Sequence, residues 1–422
     1  ISGPGQRTRI VEIKNNGSIE TIAYTGNRNN GPITANDQYV AWAESDPHLR
    51  WPNADYSIIR LYNRSTGKIS TLKPRTRFFA PALDSNRSRI AVAETTGAYQ
   101  FFLTILNVET GEVLHRIPTP GNAYPIHPSW SDIENELVLI LQNEAGKRIV
   151  SYNTETDQWK TLRQPAFDEP EFPQKKENHL WFTASTQKSE EIFRTNLKTG
   201  TTDQVTTSRF GSTTPALSSD DKVVYSDYSP KGYQIVQTNA KQTTEEDTSP
   251  SDLTNRAVQE LINQEPPTGQ TQTKEFEATS YSKWNLFNLH SWAPLYYETD
   301  ALDLYPGITL MSQNLLGTAV TRIGYNAASS QTREKFNAGF TYRGFFPIID
   351  FDVKWGNFQE EFQDVFVGNN QLFTLEQKGK SNQIKLETGI RTPLNISSGK
   401  WSRFLQPRVK LSWQNISNQN YK

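Results

Sequence analysis

The order of apolar and polar residues is clearest between Lys335 and Trp355. Phe336, Ala338, Phe340 and Tyr342 alternate with Lys335, Asn337, Gly339, Thr341 and Arg343. After Phe345-Phe346-Pro347, the residues Ile349, Phe351, Val353 and Trp355 alternate with Asp350, Asp352 and Lys354. A period of two predicts strands with one apolar and one charged face. The pattern returns with Ile384, Leu386 and Ile390 against Lys385, Glu387 and Arg391, and with Val409, Leu411 and Trp413 against Arg408, Lys410 and Ser412. Each run is about 10 residues, the length a tilted strand needs to cross a bilayer. A soluble antiparallel sheet with one packed and one wet face gives the same alternation. Aromatic placement favours the membrane, because Tyr342, Trp355, Trp401 and Trp413 sit near the ends of the expected strands, where a barrel carries its interfacial girdle. On that reading Lys335, Arg343, Asp350, Asp352, Lys354, Glu387, Arg391, Arg408 and Lys410 line a lumen, each as an ordinary solvated wall position. About seven or eight strands are expected between Tyr305 and Ile416, fewer than a large barrel needs.

Residues 1–247 carry a different signal, a repeat. Turns recur at Asn16-Gly17, Thr66-Gly67, Thr110-Gly111, Thr156-Asp157, Thr199-Gly200 and Asn239-Ala240, each between an apolar strand and a shorter polar one. Their spacing of about 40 to 50 residues is that of propeller blades. Pro32, Pro81, Pro128, Pro170 and Pro215 each precede a buried-looking strand, such as Tyr39 to Trp42, Ile90 to Ala93 or Leu137 to Ile140. The pattern predicts six outer hairpins with five inner ones, hence six blades of which the first lacks its inner half.

Between the two lies a boundary at residues 248–275, rich in Thr, Ser, Pro and Gln. Ser251 or Asp252 caps an expected short helix with Leu253, Ala257, Val258, Leu261 and Ile262 on one side, stopped by Pro266-Pro267. Tyr281, Trp284, Phe287, Trp292, Tyr296 and Tyr297 then crowd a short span, as in a satellite core or an interfacial belt. His290-Ser291 is not expected to form a nucleophile pair, since adjacent strand residues point to opposite faces.

Composition narrows the chemistry. With 44 Lys+Arg against 45 Asp+Glu in 422 residues, nothing steers the whole chain to nucleic acid or acidic lipid. The absence of cysteine excludes disulfides, thiolate metal sites and a cysteine nucleophile. No apolar run approaches the roughly 18 residues of a membrane helix, so any crossing falls to strands. No Gly-x-Ser-x-Gly is present, and His48, His115, His127, His179 and His290 are scattered, reading as turn or packing residues. Gly379-Lys380-Ser381 has Thr374 where a phosphate loop needs its first glycine. The sequons at Asn16, Asn63, Asn395 and Asn415 matter only in a eukaryotic secretory protein. No catalytic, cofactor-binding or metal residue is assigned. The start at Ile1, with Met311 as the only methionine, is read as the loss of a leader and of more upstream sequence.

Two sets of residues resemble known families. His127-Pro128-Ser129-Trp130-Ser131-Asp132 and Pro215-Ala216-Leu217-Ser218-Ser219-Asp220-Asp221 are similar to the Pro-x-Trp-Ser-Pro-Asp-Gly turn of TolB-like propellers, without its second proline or its glycine. Residues 281–292, with residues 306–314 and Gly324-Tyr325, resemble the start of the barrel in outer-membrane proteins of Bacteroidota, in which a TolB-like propeller precedes a BamA-like barrel. The likeness runs over nearly the whole chain. It implies an all-β fold: a six-bladed propeller at 1–247 in the periplasm, a linker with a short helix at 248–275, and part of an outer-membrane barrel at 276–422. It also implies a non-catalytic scaffold for outer-membrane or periplasmic proteins in membrane-protein assembly or export, embedded in the outer-membrane bilayer, with no cofactor and no nucleic acid. Two alternatives stay open: a membrane-anchored peptidase-like protein whose catalytic domain lies upstream, and a soluble protein with a β-sandwich after the propeller.

Overall fold

The computed structural model describes residues 5–14, 16–25, 31–49, 55–85, 88–218, 222–239, 250, 264, 277, 279–282, 284–298, 303–328, 334–368, 371–397 and 401–419. The expected helix at 251–262 lies outside them. The chain divides into two compact units, Ile1–Thr271 and Gln272–Lys422. Among the described residues no helix is long and apolar enough to cross a membrane.

The first unit opens on a two-stranded sheet of β1 (Arg9–Ile13) and β2 (Ile19–Tyr24). Four antiparallel four-stranded sheets follow in chain order. The first holds β3 (Thr34–Ala35), β4 (Tyr39–Pro47), β5 (Asp55–Asn63) and β6 (Ile69–Thr76), and the second β7 (Phe78–Leu83), β8 (Arg89–Thr95), β9 (Phe101–Asn107) and β10 (Val113–Pro118). The third holds β11 (Tyr124–Trp130), β12 (Glu136–Asn143), β13 (Gly146–Asn153) and β14 (Gln158–Ala166), and the fourth β15 (Glu171–Lys176), β16 (His179–Ser185), β17 (Glu190–Asn196) and β18 (Thr202–Gln204). A three-stranded sheet of β19 (Ser212–Leu217), β20 (Lys222–Ser229) and β21 (Gly232–Asn239) ends the series.

The arrangement is propeller-like, with five blades among the described residues rather than the six expected. The β1–β2 hairpin does not count as one, because neither strand pairs with an inner strand; it packs Ile10 and Ala23 on Val40 and Trp42 of β4. Each blade joins the next through the second strand, which is buried on both faces and so reads as an unbroken apolar run. In β8, Ile90 and Val92 face the preceding blade and Ala91 the following one. In β12, Leu137, Leu139 and Leu141 face back while Val138 and Ile140 face forward onto Leu180 and Phe182.

The outer turns repeat in chemistry as well as spacing. Asn63, Asn107, Asn153 and Asn196 each end a strand and accept, through Oδ1, the backbone N–H groups two and three residues on. This side-chain mimic of a backbone turn is what Asn supplies at such sites. Gly111 closes one of these turns at φ 70°, and a Cβ there would come within 2.4 Å of Leu72 O.

The innermost strands share a device that the sequence reading half caught. Ala80, His127, Phe172 and Thr214 each adopt positive φ immediately before a proline, at a register shift in β7, β11, β15 and β19. The prolines in phase are therefore Pro81, Pro128, Pro173 and Pro215, so Pro173 replaces the expected Pro170. Four consecutive bulges turn the strand locally and leave carbonyls for the neighbouring blade. Trp130 Nε1 donates to Ala82 O (3.0 Å), Ser129 Oγ to Pro173 O (2.5 Å) and Gln174 Nε2 to Pro215 O (2.6 Å).

The second unit is one antiparallel seven-stranded sheet in chain order. It comprises β22 (Leu289–Glu298), β23 (Asp303–Gln313), β24 (Ala319–Asn326), β25 (Phe336–Tyr342), β26 (Ile348–Gly368), β27 (Gln371–Arg391) and β30 (Arg408–Gln419). The short β28 (Leu394–Asn395) and β29 (Phe404–Leu405) pair with each other between β27 and β30. The sheet starts earlier than the alternation suggests, since Trp292, Tyr296 and Tyr297 belong to β22. Beyond Gln359, β26 and β27 run on as a two-stranded hairpin, since β25 stops pairing at Phe336–Trp355 and β30 at Lys380–Gln419.

Candidate functional site: an inverted sheet

Register places like with like across the whole second unit. Trp292, Leu310, Ile323, Ala338, Val353, Leu386 and Trp413 are successive cross-strand partners, one apolar row across seven strands. The neighbouring row on the other face runs Met311, Arg322, Gly339, Asp352, Glu387 and Ser412.

Burial inverts the order of a soluble protein. On the polar face Lys354 is 3% exposed, Glu387 4% and Asp350 7%, whereas on the apolar face Ile323 is 45%, Ile384 47% and Ile390 50% exposed. From Ser381 to Ile390 the alternation is nearly strict, with Ser381, Gln383, Glu387 and Gly389 buried and Ile384, Leu386 and Ile390 exposed. Burying charges is costly unless each is paired, and here the pairs are present. Lys354 Nζ lies 2.9 Å from Glu334, Arg391 Nε donates to Asp350 at 2.8 Å, and Glu387 receives Lys385 at 3.0 Å and Lys410 at 2.8 Å. Tyr296, fully buried on this face, donates its hydroxyl to Glu334 (3.2 Å) and accepts from Asn337 Nδ2 (2.9 Å). Gly324 makes room for it, since a Cβ there would lie 2.9 Å from the Tyr296 ring.

Aromatic rings mark two levels on the apolar face. Tyr325, Phe336 and Trp355 are cross-strand neighbours with centroids 5.0 and 4.9 Å apart. At the other end Tyr342 meets Phe345 (5.0 Å), and Phe340 meets Phe287 (6.2 Å). Phe336 and Tyr342 are the first and last residues of β25, about 20 Å apart along an extended strand. Of the four expected girdle residues, Tyr342 and Trp355 lie at these levels. Trp413 instead pairs with Leu386 near the middle of β30, and Trp401 lies outside the sheet's strands.

All nine expected lumen residues are among the described ones. Asp350, Asp352, Lys354, Glu387, Arg391, Arg408 and Lys410 line one concavity with Arg322, which the sequence reading did not name. Lys335 and Arg343 lie in the connections that flank β25 and β26. The pattern hid Arg322 because β24 mixes Thr321 and Gly324 into its alternation.

The histidines are brought together with no metal-binding cluster among the described residues. His127 stacks on Phe172 (4.1 Å), and burial, with a smaller push from the Lys147 charge, lowers its imidazole to about 4. His115 lines an open groove with Arg116, Tyr152, Asp157 and Trp159. Burial and the Tyr152–Asp157 hydrogen bond push that phenol up. His290 departs from expectation: a bulge between Leu289 and Ser291 brings His290 Nδ1 within 2.5 Å of Ser291 Oγ, although both stay exposed.

No family model and no curated protein matches the sequence. Similar solved structures include TolB from Acinetobacter baumannii, with 11% identity over 55% of this chain and 58% of that one and a TM-score of 0.45. This chain thus spans little more than half of that TolB's length. An oligogalacturonate lyase in complex with manganese shares 12% identity over 57% of this chain and 72% of its own, with a TM-score of 0.41. A putative TolB from Agrobacterium tumefaciens shares 10% identity over 70% and 91%, with a TM-score of 0.35. At such scores the comparisons add nothing to the propeller-like arrangement that the strand pairing establishes.

Proposed function

We propose that this chain is the propeller and part of the barrel of a bacterial outer-membrane protein. On this reading the apolar face of β22 to β30 meets lipid, and the propeller hangs in the periplasm as a non-catalytic docking surface for proteins of membrane assembly or export. The observation that carries the reading is the inversion of the sheet, with paired charges buried on one face and apolar side chains such as Ile323, Ile384 and Ile390 exposed on the other. In water such exposure is unfavourable by about 25 cal/mol for each Å² left wet, and hydrocarbon removes the penalty. The two aromatic levels, about 20 Å apart, fit the roughly 25 Å apolar band of such barrels. The peptidase alternative places its catalytic domain upstream, and a His-Glu-x-x-His helix in that sequence would favour it.

Fluorescence quenching by brominated lipid tests the membrane placement. In full-length single-tryptophan variants reconstituted in vesicles, Trp355 and Trp413 are expected to be quenched and Trp42 of β4 is not. Equal, weak quenching of all three would return the sheet to water.

A further inference from the structure

We propose that the concavity on the polar face of the second unit is a binding site for a small oxyanion, a phosphate or carboxylate group, with Arg408 as its main ligand. Its volume is ≈ 360 Å³, within the range of ligand pockets. Glycine stands in two of the polar rows, at Gly339 and Gly389. A Cβ at Gly339 would lie 2.6 Å from Asp352 Oδ1, and one at Gly389 would lie 3.5 Å from Arg408 Nε, so the guanidinium rests over the bare backbone.

Charge and register point to the sign of the ligand. Five cationic side chains line the concavity against three acidic ones. Arg391 and Arg408 are direct cross-strand partners, and like charges so placed repel. Arg391 is answered by Asp350, and Lys410 by Glu387, which also holds Lys385. Among the described residues no carboxylate pairs with Arg408. A guanidinium presents a planar fork of N–H donors that matches two oxygens of one oxyanion, and an anion there would relieve the repulsion between the two arginines. The site is built from residues of one sheet and stands whether or not the opposite face meets lipid.

Calorimetric titration of the full chain in detergent with inorganic phosphate, and separately with tricarballylate, tests it. Saturable binding of at least one, weakened by added salt, is expected. Arg408→Gln is expected to weaken it by about tenfold or more, Arg408→Lys by less because the charge remains without the fork, and Lys198→Gln in the propeller not at all. Circular dichroism identifies any variant that has lost its strands, in which case the Arg408→Lys comparison decides. Absence of saturable binding for both probes, or unchanged binding in folded Arg408→Gln, overturns the proposal. Neither result depends on the quenching experiment above.

Discussion

Tyr296 shows how single residues hold the polar face together. Its ring occupies the space left by Gly324, and its hydroxyl is shared between Glu334 and Asn337. Gly324→Ala would put a Cβ 2.6 Å from Asn337 Oδ1 and is expected to destabilise the sheet by about 1 to 3 kcal/mol, the usual cost of overpacking. Tyr296→Phe keeps the ring but takes one hydrogen bond each from Asn337 and from Glu334, which keeps Lys354, at a cost of about 1 to 2 kcal/mol. Denaturant unfolding in detergent measures both. In the propeller, His127 gives stability a pH dependence. Its folded-state pKa lies below the ordinary 6.5, at about 4, so the folded protein favours the neutral ring. That contribution is complete above pH 6.5 and is lost as pH falls toward 4, by up to about 3 kcal/mol. His127→Phe, which can still stack on Phe172, is expected to flatten the stability profile between pH 7 and 4.5. An unchanged slope would assign the pH dependence to other groups. Neither residue was legible in its role from sequence. Tyr296 reads as one of six crowded aromatics, and His127 as one of five scattered histidines, because each acts through a neighbour from another strand.

At the scale of elements, period and spacing carry most of the information, and pairing carries the rest. The second strands of the blades are legible because burial on both faces demands an unbroken apolar run, and Leu139→Ala in β12 is expected to cost about 2 to 5 kcal/mol. The alternating strands β25, β26, β27 and β30 are legible because each face has one environment. What periodicity cannot show is where a strand stops. Trp355 is an end-of-strand residue only relative to β25, while β26 continues to Gly368; Trp413 sits mid-strand because β30 runs from Arg408 to Gln419. Pro170 and Pro173 are equally plausible in sequence, and only the bulge at Phe172 selects the second. The same periodicity leaves the solvent of each face undecided, and substitution can decide it. Leu386→Lys lies in the middle of the apolar row. In a bilayer it is expected to cost about 2 to 4 kcal/mol. On the wet face of a soluble sheet the same change stays within about 0.5 kcal/mol. Folding of the variant into vesicles against urea separates the two.

For the whole molecule, the strongest constraint is that two units of opposite design share one chain. The first buries its apolar residues between blades and exposes its polar turns, as water requires; the second does the reverse. On the proposed function the two designs answer to two solvents, and the stretch between them in sequence is rich in Thr, Gln and Pro over residues 248–275. The blade count could not be settled from turns alone, because a hairpin such as β1–β2 carries the same turn signal whether or not inner strands accompany it. The order of parts nevertheless predicts how the protein meets a protease. On the proposed placement the propeller is expected to survive added protease in intact cells, shielded by the outer membrane. After the membrane is made permeable, cleavage between the units is expected to release the propeller as a soluble fragment while the sheet stays with the lipid. Cleavage of the propeller in intact cells would put it outside the cell and reverse the proposed orientation. Release of the sheet without detergent would show that its exposed apolar rows are covered by protein rather than by acyl chains.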